Sequence, residues 1–404
     1  MKRLINTVKD HSGFYIADED EIRAGKASDV YFSRSMKGLS HDQEVVAEIT
    51  SSSEEEWITF SGLKEVLSLL KPRNLTISAL EEGEIIGTRD SGGIPVPFIT
   101  IEGKYSEIGE METAILGLIC QSSGISTASS RVYMASYPAP FYSFGIRRMH
   151  PAISPMIDRA AYIGGAYGVS GILGAERISM DPVGTMPHSM ALLMGEEAAW
   201  KYIAENFPKG KRTILIDTFS DEKESALRAA RMFPGIDYIR LDTPRSRRGN
   251  FPNIVREIRW ELNLRGFSNI KIMVSGGLDY ESVSKLREAG AEAFGVGTYI
   301  SSAKSIDFSM DIVSINGTAI TKKGKYSGKK DVSRCNKCNK VKVKPSELHI
   351  EKCECGGKLE LLNGKVYESG KEVINPKSDS DIRAKVTERL NSMIIAGKVT
   401  SSHP

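Results

Sequence analysis

The spacing of apolar and polar positions along this chain changes period several times, and each change marks an element. Through the first hundred residues short alternating runs sit between helical ones. Trp57-Ile58-Thr59-Phe60 and residues 75–80 predict strands, with a helix over 63–70 between them. Residues 84–87 and 98–103 continue the strand series, separated by the turn Asp90-Ser91-Gly92-Gly93 and by Pro95 and Pro97. This pattern predicts an α+β N-terminal domain over residues 1–109.

From residue 110 the pattern predicts an irregular parallel β/α barrel running to residue 316. A helix passes through Cys120, residues 132–135 and 142–146 read as strands, and 155–164 as a helix. One helix is expected over 189–205. Residues 212–217 form a buried strand, followed by a helix with Ala226, Ala229, Ala230 and Phe233 on its apolar face. Residues 238–242 are the next strand and a helix through Trp260 follows. Two glycine turns close the series. A Gly-x-Gly-x-x-Gly fingerprint after an early strand, which a dinucleotide fold would want, is missing. After Asn316 the chain turns polar and lysine-rich, which predicts a linker. A small zinc-ribbon-like domain over 317–404 then ends in an amphipathic helix with Ile382, Val386, Leu390 and Ile394 at four-residue intervals. The expected fold class is therefore α/β with these three parts.

Composition narrows the function classes. Apolar residues make up 40% and charged residues 26%, ordinary for a soluble globular protein. A net charge of +3 is too balanced to imply a nucleic-acid partner for the whole chain. No apolar run reaches membrane-spanning length, and residues 1–20 hold no signal-like stretch, so a cytoplasmic protein is expected. Cys120 lies in an apolar helical run; the other four cysteines all fall between 335 and 355, which points to metal and not to a disulfide framework.

The candidate chemistry sits at strand ends. Ile272-Met273-Val274 breaks into Ser275-Gly276-Gly277, and Ala293-Phe294 into Gly295-Val296-Gly297-Thr298. Glycine lets backbone N–H groups approach an anion closely, and paired turns after the last two barrel strands make that fold's phosphate clamp. Ordinary loops needing φ > 0 are the alternative. Asp217 and Asp242 end neighbouring strands, where a carboxylate points into the barrel mouth and can meet sugar hydroxyls or Mg²⁺; capping the following helix is the rival role for Asp217. Arg147, Arg148 and Arg240 stand where strands meet loops, suited to carboxylate or phosphate. Arg245, Arg247 and Arg248 lie in a polar loop, either solvated or a lid over anions. His188 opens a helix after Gly184-Thr185-Met186-Pro187, either as a structural residue or as a nucleophile or proton carrier. Cys335, Cys338, Cys353 and Cys355 form C-x2-C and, after fourteen residues, C-x-C, which suits a closed structural zinc site. The short second pair leaves His349 as a substitute ligand.

Taken in register, the motifs at 143–148, 162–165, 184–189, 216–218, 240–242, 275–279 and 295–298 strongly resemble nicotinate phosphoribosyltransferase. That enzyme has the type II phosphoribosyltransferase fold shared with the nicotinamide and quinolinate enzymes. Asp29-Val30-Tyr31-Phe32 is similar to the family's opening motif, and the resemblance covers residues 25–300. It implies that nicotinate's ring nitrogen attacks C1 of 5-phosphoribosyl-1-pyrophosphate, with Mg²⁺ present and ATP as co-substrate, in NAD biosynthesis. It further implies that Ser275, Gly276, Gly277, Gly295, Gly297 and Thr298 hold the 5-phosphate. Phe144 would stack on the pyridine ring, with Tyr31 of the partner subunit on the other face of a site shared within a homo-oligomer. Arg147, Arg148 and Arg240 would meet anionic groups, Gly165 and Thr185 would contact substrate, and Asp242 and Asp217 would hold ribose or Mg²⁺. His188 would be the histidine that ATP phosphorylates. Two features depart from the family: Asp242 is followed by Thr-Pro-Arg-Ser-Arg where many relatives have Ser-Gly-Asp, and a cysteine module is not general. The rival substrate is quinolinate. The rival from another class is a nucleic-acid-binding ribbon using the lysines of 322–330.

Overall fold

The computed structural model describes residues 13–348, 350–375 and 377–401; the first twelve residues and His349 lie outside the described residues. Two sheets organise the chain. The first has seven strands, paired antiparallel. In it Glu44–Ser51 is flanked by Phe308–Ile315 and Ile99–Lys104, and Thr76–Ala79 and Gly364–Glu368 extend it further. The expected division at residue 316 therefore runs through this sheet. Phe308 packs edge-on against Phe98, ring centroids 4.9 Å apart, and Tyr367 is fully buried; both ends of the chain share one core. Leu63, Val66, Leu67 and Leu70 of the helix Leu63–Leu70 are buried at the i, i+3, i+4, i+7 spacing read from the sequence.

The lysine-rich stretch expected as a linker is instead fastened to that sheet. Lys322 and Lys325 pair with Asp311, Lys329 with Glu102, and the buried Lys330 with Glu48. Most of the run's charge is thereby matched by carboxylates.

The second sheet has six strands, every neighbouring pair parallel. From one edge to the other the strands are Gly168–Val169, Phe141–Ser143, Ala293–Val296, Lys271–Val274, Tyr238–Leu241 and Thr213–Leu215. The last strand in sequence, Ala293–Val296, returns beside the first, Phe141–Ser143. Around this ring only Gly168–Val169 and Thr213–Leu215 fail to pair, so the expected barrel is an arc open at one seam. The chain crossing that seam makes no strand: Val183 N–H reaches Val169 O (2.8 Å), and the buried Met186 follows. Helices cover the outside; Trp200, fully buried, donates its indole N–H to Leu215 O (2.8 Å).

Three local expectations are corrected. Residues 132–135 continue the helix Glu112–Ser136 and form no strand. Val132 and Tyr133 have strand-forming side chains, but the helix's buried serines lock it against its neighbour. Ser126, Ser129 and Ser130 hydroxyls donate to the carbonyls of Ala160, Ala161 and Gly164, and tertiary contacts override propensity. The helix expected over 189–205 is two, His188–Met194 and Glu196–Asn206, broken at Gly195 with φ +83°. The strand expected over 142–146 stops at Ser143, and a 3₁₀ turn, Ile146–Arg148, carries the two arginines.

The C-terminal helix Asp379–Ser401 bridges the two halves. Ile382, Val386 and Leu390 are buried against Ile85 of the first sheet's domain and Ile163 of the barrel. At its start Arg159 binds both Glu82 (2.8 Å) and Asp379 (2.8 Å). Among the described residues no helix is long and apolar enough to cross a membrane.

Candidate active site

Strand direction decides where the chemistry gathers. In the parallel arc, side chains two residues apart share a face, so Arg240 and Asp242 both point inward at the C-terminal end of their strand. They meet Ser275 from the next strand: Arg240 Nε donates to Ser275 Oγ (2.8 Å), Ser275 Oγ donates to Asp242 Oδ1 (2.7 Å), and Arg240 Nη2 lies 3.0 Å from Asp242 Oδ2. Thr185, from the chain crossing the seam, accepts from Arg240 Nη1 (2.5 Å). A guanidinium with these three partners is fixed in direction.

Arg240, Asp242 and Ser275 border a cleft of about 280 Å³, which Phe144, Arg147, Arg148, Gly276, Gly277, Gly295, Gly297 and Thr298 also line; Thr185 touches Arg240 from outside that lining. Gly276 (φ +92°) and Gly277 (φ +62°) adopt the left-handed backbone that favours glycine, and among the described residues their amides donate to no protein acceptor. Gly295 has a second part besides lining the cleft. It lies within the strand Ala293–Val296, paired with Tyr142, and a Cβ there would come 2.5 Å from the Phe144 ring. Its missing side chain makes room for the phenyl group, which stacks on Tyr142 with ring planes 15° apart.

His188 and Asp217 adjoin the cleft. His188 Nε2 is 3.7 Å from Asp242 Oδ2 and 3.9 Å from Asp217 Oδ2, and Nδ1 is 3.3 Å from Thr218 Oγ1. Asp217 Oδ2 accepts the Asp242 N–H (3.2 Å), while its Oδ1 is buried without a hydrogen-bond partner among the described residues. Burial pushes the Asp217 carboxyl above its usual range, opposed by His188 and reinforced by Asp242. The capping role considered for Asp217 belongs to Asp221, whose carboxylate accepts from the amides of Lys223 and Glu224. A bare carboxylate oxygen beside Asp242 fits a divalent cation, so Asp217 and Asp242 are the residues here able to hold Mg²⁺.

Gly165 lies elsewhere, whereas Tyr31 was expected to act from the partner subunit. Gly165 sits in a helix-to-strand turn before Gly168–Val169, at the opposite end of the strands, where a Cβ would press on Tyr133; turns leading into parallel strands cannot reach the mouth formed by their far ends. Tyr31, on the helix Val30–Gly38, is exposed and does not line its own chain's cleft. Arg245, one of the loop arginines considered as a lid over anions, lines the cleft; unforeseen were Pro244, which also lines it, and Thr218, which meets His188. The signal of these two in the sequence was position alone, one or two residues past the strand-end aspartates.

The four clustered cysteines converge independently of this cleft. Their sulfurs lie within 4.8 Å of one another, with Cys335 Sγ 3.4 Å from Cys355 Sγ and Cys338 Sγ 3.7 Å from Cys353 Sγ. Four thiols at that spacing match the edges of a tetrahedron with ~2.3 Å metal–sulfur bonds. The first pair ends the strand Lys330–Cys335 in a three-stranded sheet, and a Cβ on Gly357 would meet Cys335 Sγ at 2.5 Å, so glycine is needed for closure.

Fold and cleft together define an α/β protein that gathers arginines, acidic strand ends and open glycine turns at one mouth of a parallel strand ring. Residues 29–123 and 125–311 match, in succession, the N-terminal and C-terminal domain models of quinolinate phosphoribosyl transferase. A solved nicotinate-nucleotide pyrophosphorylase from Pyrococcus furiosus is 44% identical, superposes with a TM-score of 0.89, and is matched over 94% of this chain and 98% of its own. The chain belongs to the type II phosphoribosyltransferase family, as the nicotinate phosphoribosyltransferase motifs indicated. Human nicotinic acid phosphoribosyltransferase shares the fold at 16% identity and a TM-score of 0.68, over 93% of each chain. A curated nicotinate phosphoribosyltransferase of Mycobacterium tuberculosis is 27% identical over 254 residues, 59% of this chain and 55% of the relative. The chain thus spans about half the length of the curated relatives it matches.

Proposed function

We propose that this chain transfers the 5-phosphoribosyl group of phosphoribosyl pyrophosphate to nicotinate, forming nicotinate mononucleotide and pyrophosphate for NAD synthesis. The observation that carries the reading is the cleft itself: two glycine turns, a fixed Arg240–Asp242–Ser275 triad, and an aromatic ring at its wall. The turns at 275–277 and 297–298 would receive the 5-phosphate. Phe144 would stack on the pyridine ring, completed by the partner subunit's Tyr31 in a homo-oligomer.

Nicotinate's ring nitrogen forms the new bond at C1 as the bond to pyrophosphate breaks, and the electron pair leaves with pyrophosphate. Positive charge grows on the ribose and negative charge on the leaving oxygens. Asp242 and Asp217 would stabilise the first; Arg147, Arg148 and Arg240 would stabilise the second. Mg²⁺, held by these aspartates, would supply further neutralisation of phosphate oxygens. His188, flanked by both carboxylates, is the residue that ATP would phosphorylate to drive the reaction forward. The zinc module would be structural.

Quinolinate is the second reading, favoured by the matched family models and by the Pyrococcus structure's description. Its extra carboxylate would call on a further cation at the cleft. The test offers nicotinate, quinolinate or nicotinamide in turn with phosphoribosyl pyrophosphate and Mg²⁺, with and without ATP, and follows nucleotide formation. Product from nicotinate, enhanced by ATP, is expected. Turnover of quinolinate alone would overturn the reading.

A further inference from the structure

The loop after Asp242 carries Arg245, Arg247 and Arg248, and two of these reach back to the glycine turn. Arg248 Nη1 donates to Gly276 O (2.6 Å) and Arg245 Nη2 donates to Gly277 O (2.6 Å). Each guanidinium is held from a second side. That of Arg248 lies over the Phe251 ring, 4.7 Å from its centroid, and Arg245 is 3.6 Å from Asp279 Oδ2. Burial and the neighbouring Arg245 charge depress the Arg248 pKa, so two cations are brought together at a cost.

The carbonyl of one residue and the N–H of the next belong to one planar trans peptide and point in opposite directions. A donor fixed on Gly276 O therefore fixes Gly277 N–H on the far side, and one on Gly277 O fixes Leu278 N–H. At a Gly-Gly step this matters most, because both residues cross φ/ψ space freely and either plane can rotate away. We propose that Arg245 and Arg248 are positioning residues that lock the peptide planes of this turn, so that its amides face the 5-phosphate of the bound phosphoribosyl group. The bonds to charged donors also polarise the amides toward an anion. The inference rests on the reading that this cleft holds a phosphoribosyl group, whichever base is used.

Equilibrium binding of two probes, ribose 5-phosphate and inorganic pyrophosphate, separates an effect on the 5-phosphate turn from direct contact with the leaving group. The variants are Arg245→Leu, Arg248→Leu, the pair, and Arg248→Lys, with Arg247→Leu as a control from the same loop that is also exposed. Loss of one charge-assisted bond is worth about tenfold in affinity. Ribose 5-phosphate is expected to bind about tenfold more weakly to each leucine variant and more weakly still to the pair, with partial recovery in Arg248→Lys. Pyrophosphate affinity and the Arg247→Leu variant should be unchanged. Melting temperatures confirm that each variant folds. Loss of pyrophosphate affinity instead would make the arginines leaving-group ligands and overturn the proposal, as would unaltered ribose 5-phosphate binding. If the wild-type protein binds neither probe, the phosphoribosyl reading itself fails.

Discussion

His188 faces Asp217 across the edge of the cleft, Nε2 to Oδ2 3.9 Å, with the aspartate side chain 1% exposed and the imidazole 39% exposed. One partner is thus fixed inside the protein while the other remains open to solvent. Buried carboxylate at this distance steadies a positively charged or phosphorylated ring without competing for it in water. For the proposed ATP-driven reaction, His188→Ala should abolish stimulation by ATP while leaving slow ATP-independent turnover of nicotinate. Product formed per ATP hydrolysed, measured in both proteins, checks this. Undiminished ATP stimulation in the alanine variant would remove His188 from the energy-coupling step.

Asp158 gives a pH prediction away from the cleft. It is fully buried, among the described residues no side chain hydrogen-bonds either carboxylate oxygen, and a Cβ on Gly171 or Gly174 would fall 2.1 or 2.3 Å from Oδ2. Burial pushes its pKa up to about 7, opposed only by the Gly171 backbone. The folded protein therefore holds a proton that the unfolded chain releases near pH ~4. Between those values the native state binds more protons, so stability falls as pH rises, by at most ~1.4 kcal/mol per pH unit, and levels off above the folded pKa. Asp158→Asn should flatten that stretch of the stability curve. Denaturant midpoints from pH 4.5 to 8 test it; an unchanged slope in the asparagine variant would show that the wild-type dependence arises elsewhere.

Much of this architecture was legible because local pattern and tertiary role agreed. The helix Leu63–Leu70 and the strands Tyr238–Leu241 and Lys271–Val274 carry periodicities that packing rewards. Asp242 and the two glycine turns announced themselves by standing at strand ends. What escaped depended on partners distant in sequence. Nothing in Phe308–Ile315 says that it pairs with Glu44–Ser51, nor does the lysine run name Asp311, Glu102 and Glu48 as its counter-charges. Gly165 was misplaced because a motif gives an order along the chain and not an end of the barrel. The long helix hid its last turns behind Val132 and Tyr133, since the carbonyls that its serines satisfy belong to another helix.

The cysteine cluster should act on stability at a distance from itself. Arg334, next to Cys335, binds Glu84 (2.6 Å), and Glu84 also binds Lys385 of the C-terminal helix (3.2 Å). Removing the metal would loosen the strand that carries Arg334 and, through Glu84, the helix that spans both halves. We expect the purified protein to carry zinc on this cluster, and a strong chelator or Cys353→Ser to lower the melting temperature. Proteolysis near residues 379–401 should accelerate in the stripped protein. Metal-free protein with an unaltered melting temperature would rule out a structural zinc site.

Gly295→Ala should separate base recognition from phosphate recognition. The Phe144 ring cannot simply step aside: Tyr142 stacks beneath it, the Arg240 guanidinium lies 5.8 Å from its centroid, and its own N–H donates to Val296 O (2.9 Å). A new Cβ 2.5 Å from Cδ2 and 2.6 Å from Cε2 forces the ring to shift, and on the proposed reading that ring is the wall on which the pyridine stacks. Overpacking of this kind costs about 1–3 kcal/mol, most of it on the ring; Ser275 Cβ, at 3.1 Å, is the next contact and has to give by only a few tenths of an ångström. The variant should therefore show a KM for nicotinate raised about tenfold or more while its affinity for ribose 5-phosphate stays near wild type. A second change, Phe144→Leu in the Gly295→Ala background, relieves the clash and should recover stability without recovering the KM, because the stacking face is gone. If Gly295→Ala instead weakens ribose 5-phosphate and leaves nicotinate untouched, Gly295 serves the phosphate directly and Phe144 is not the wall on which the base rests.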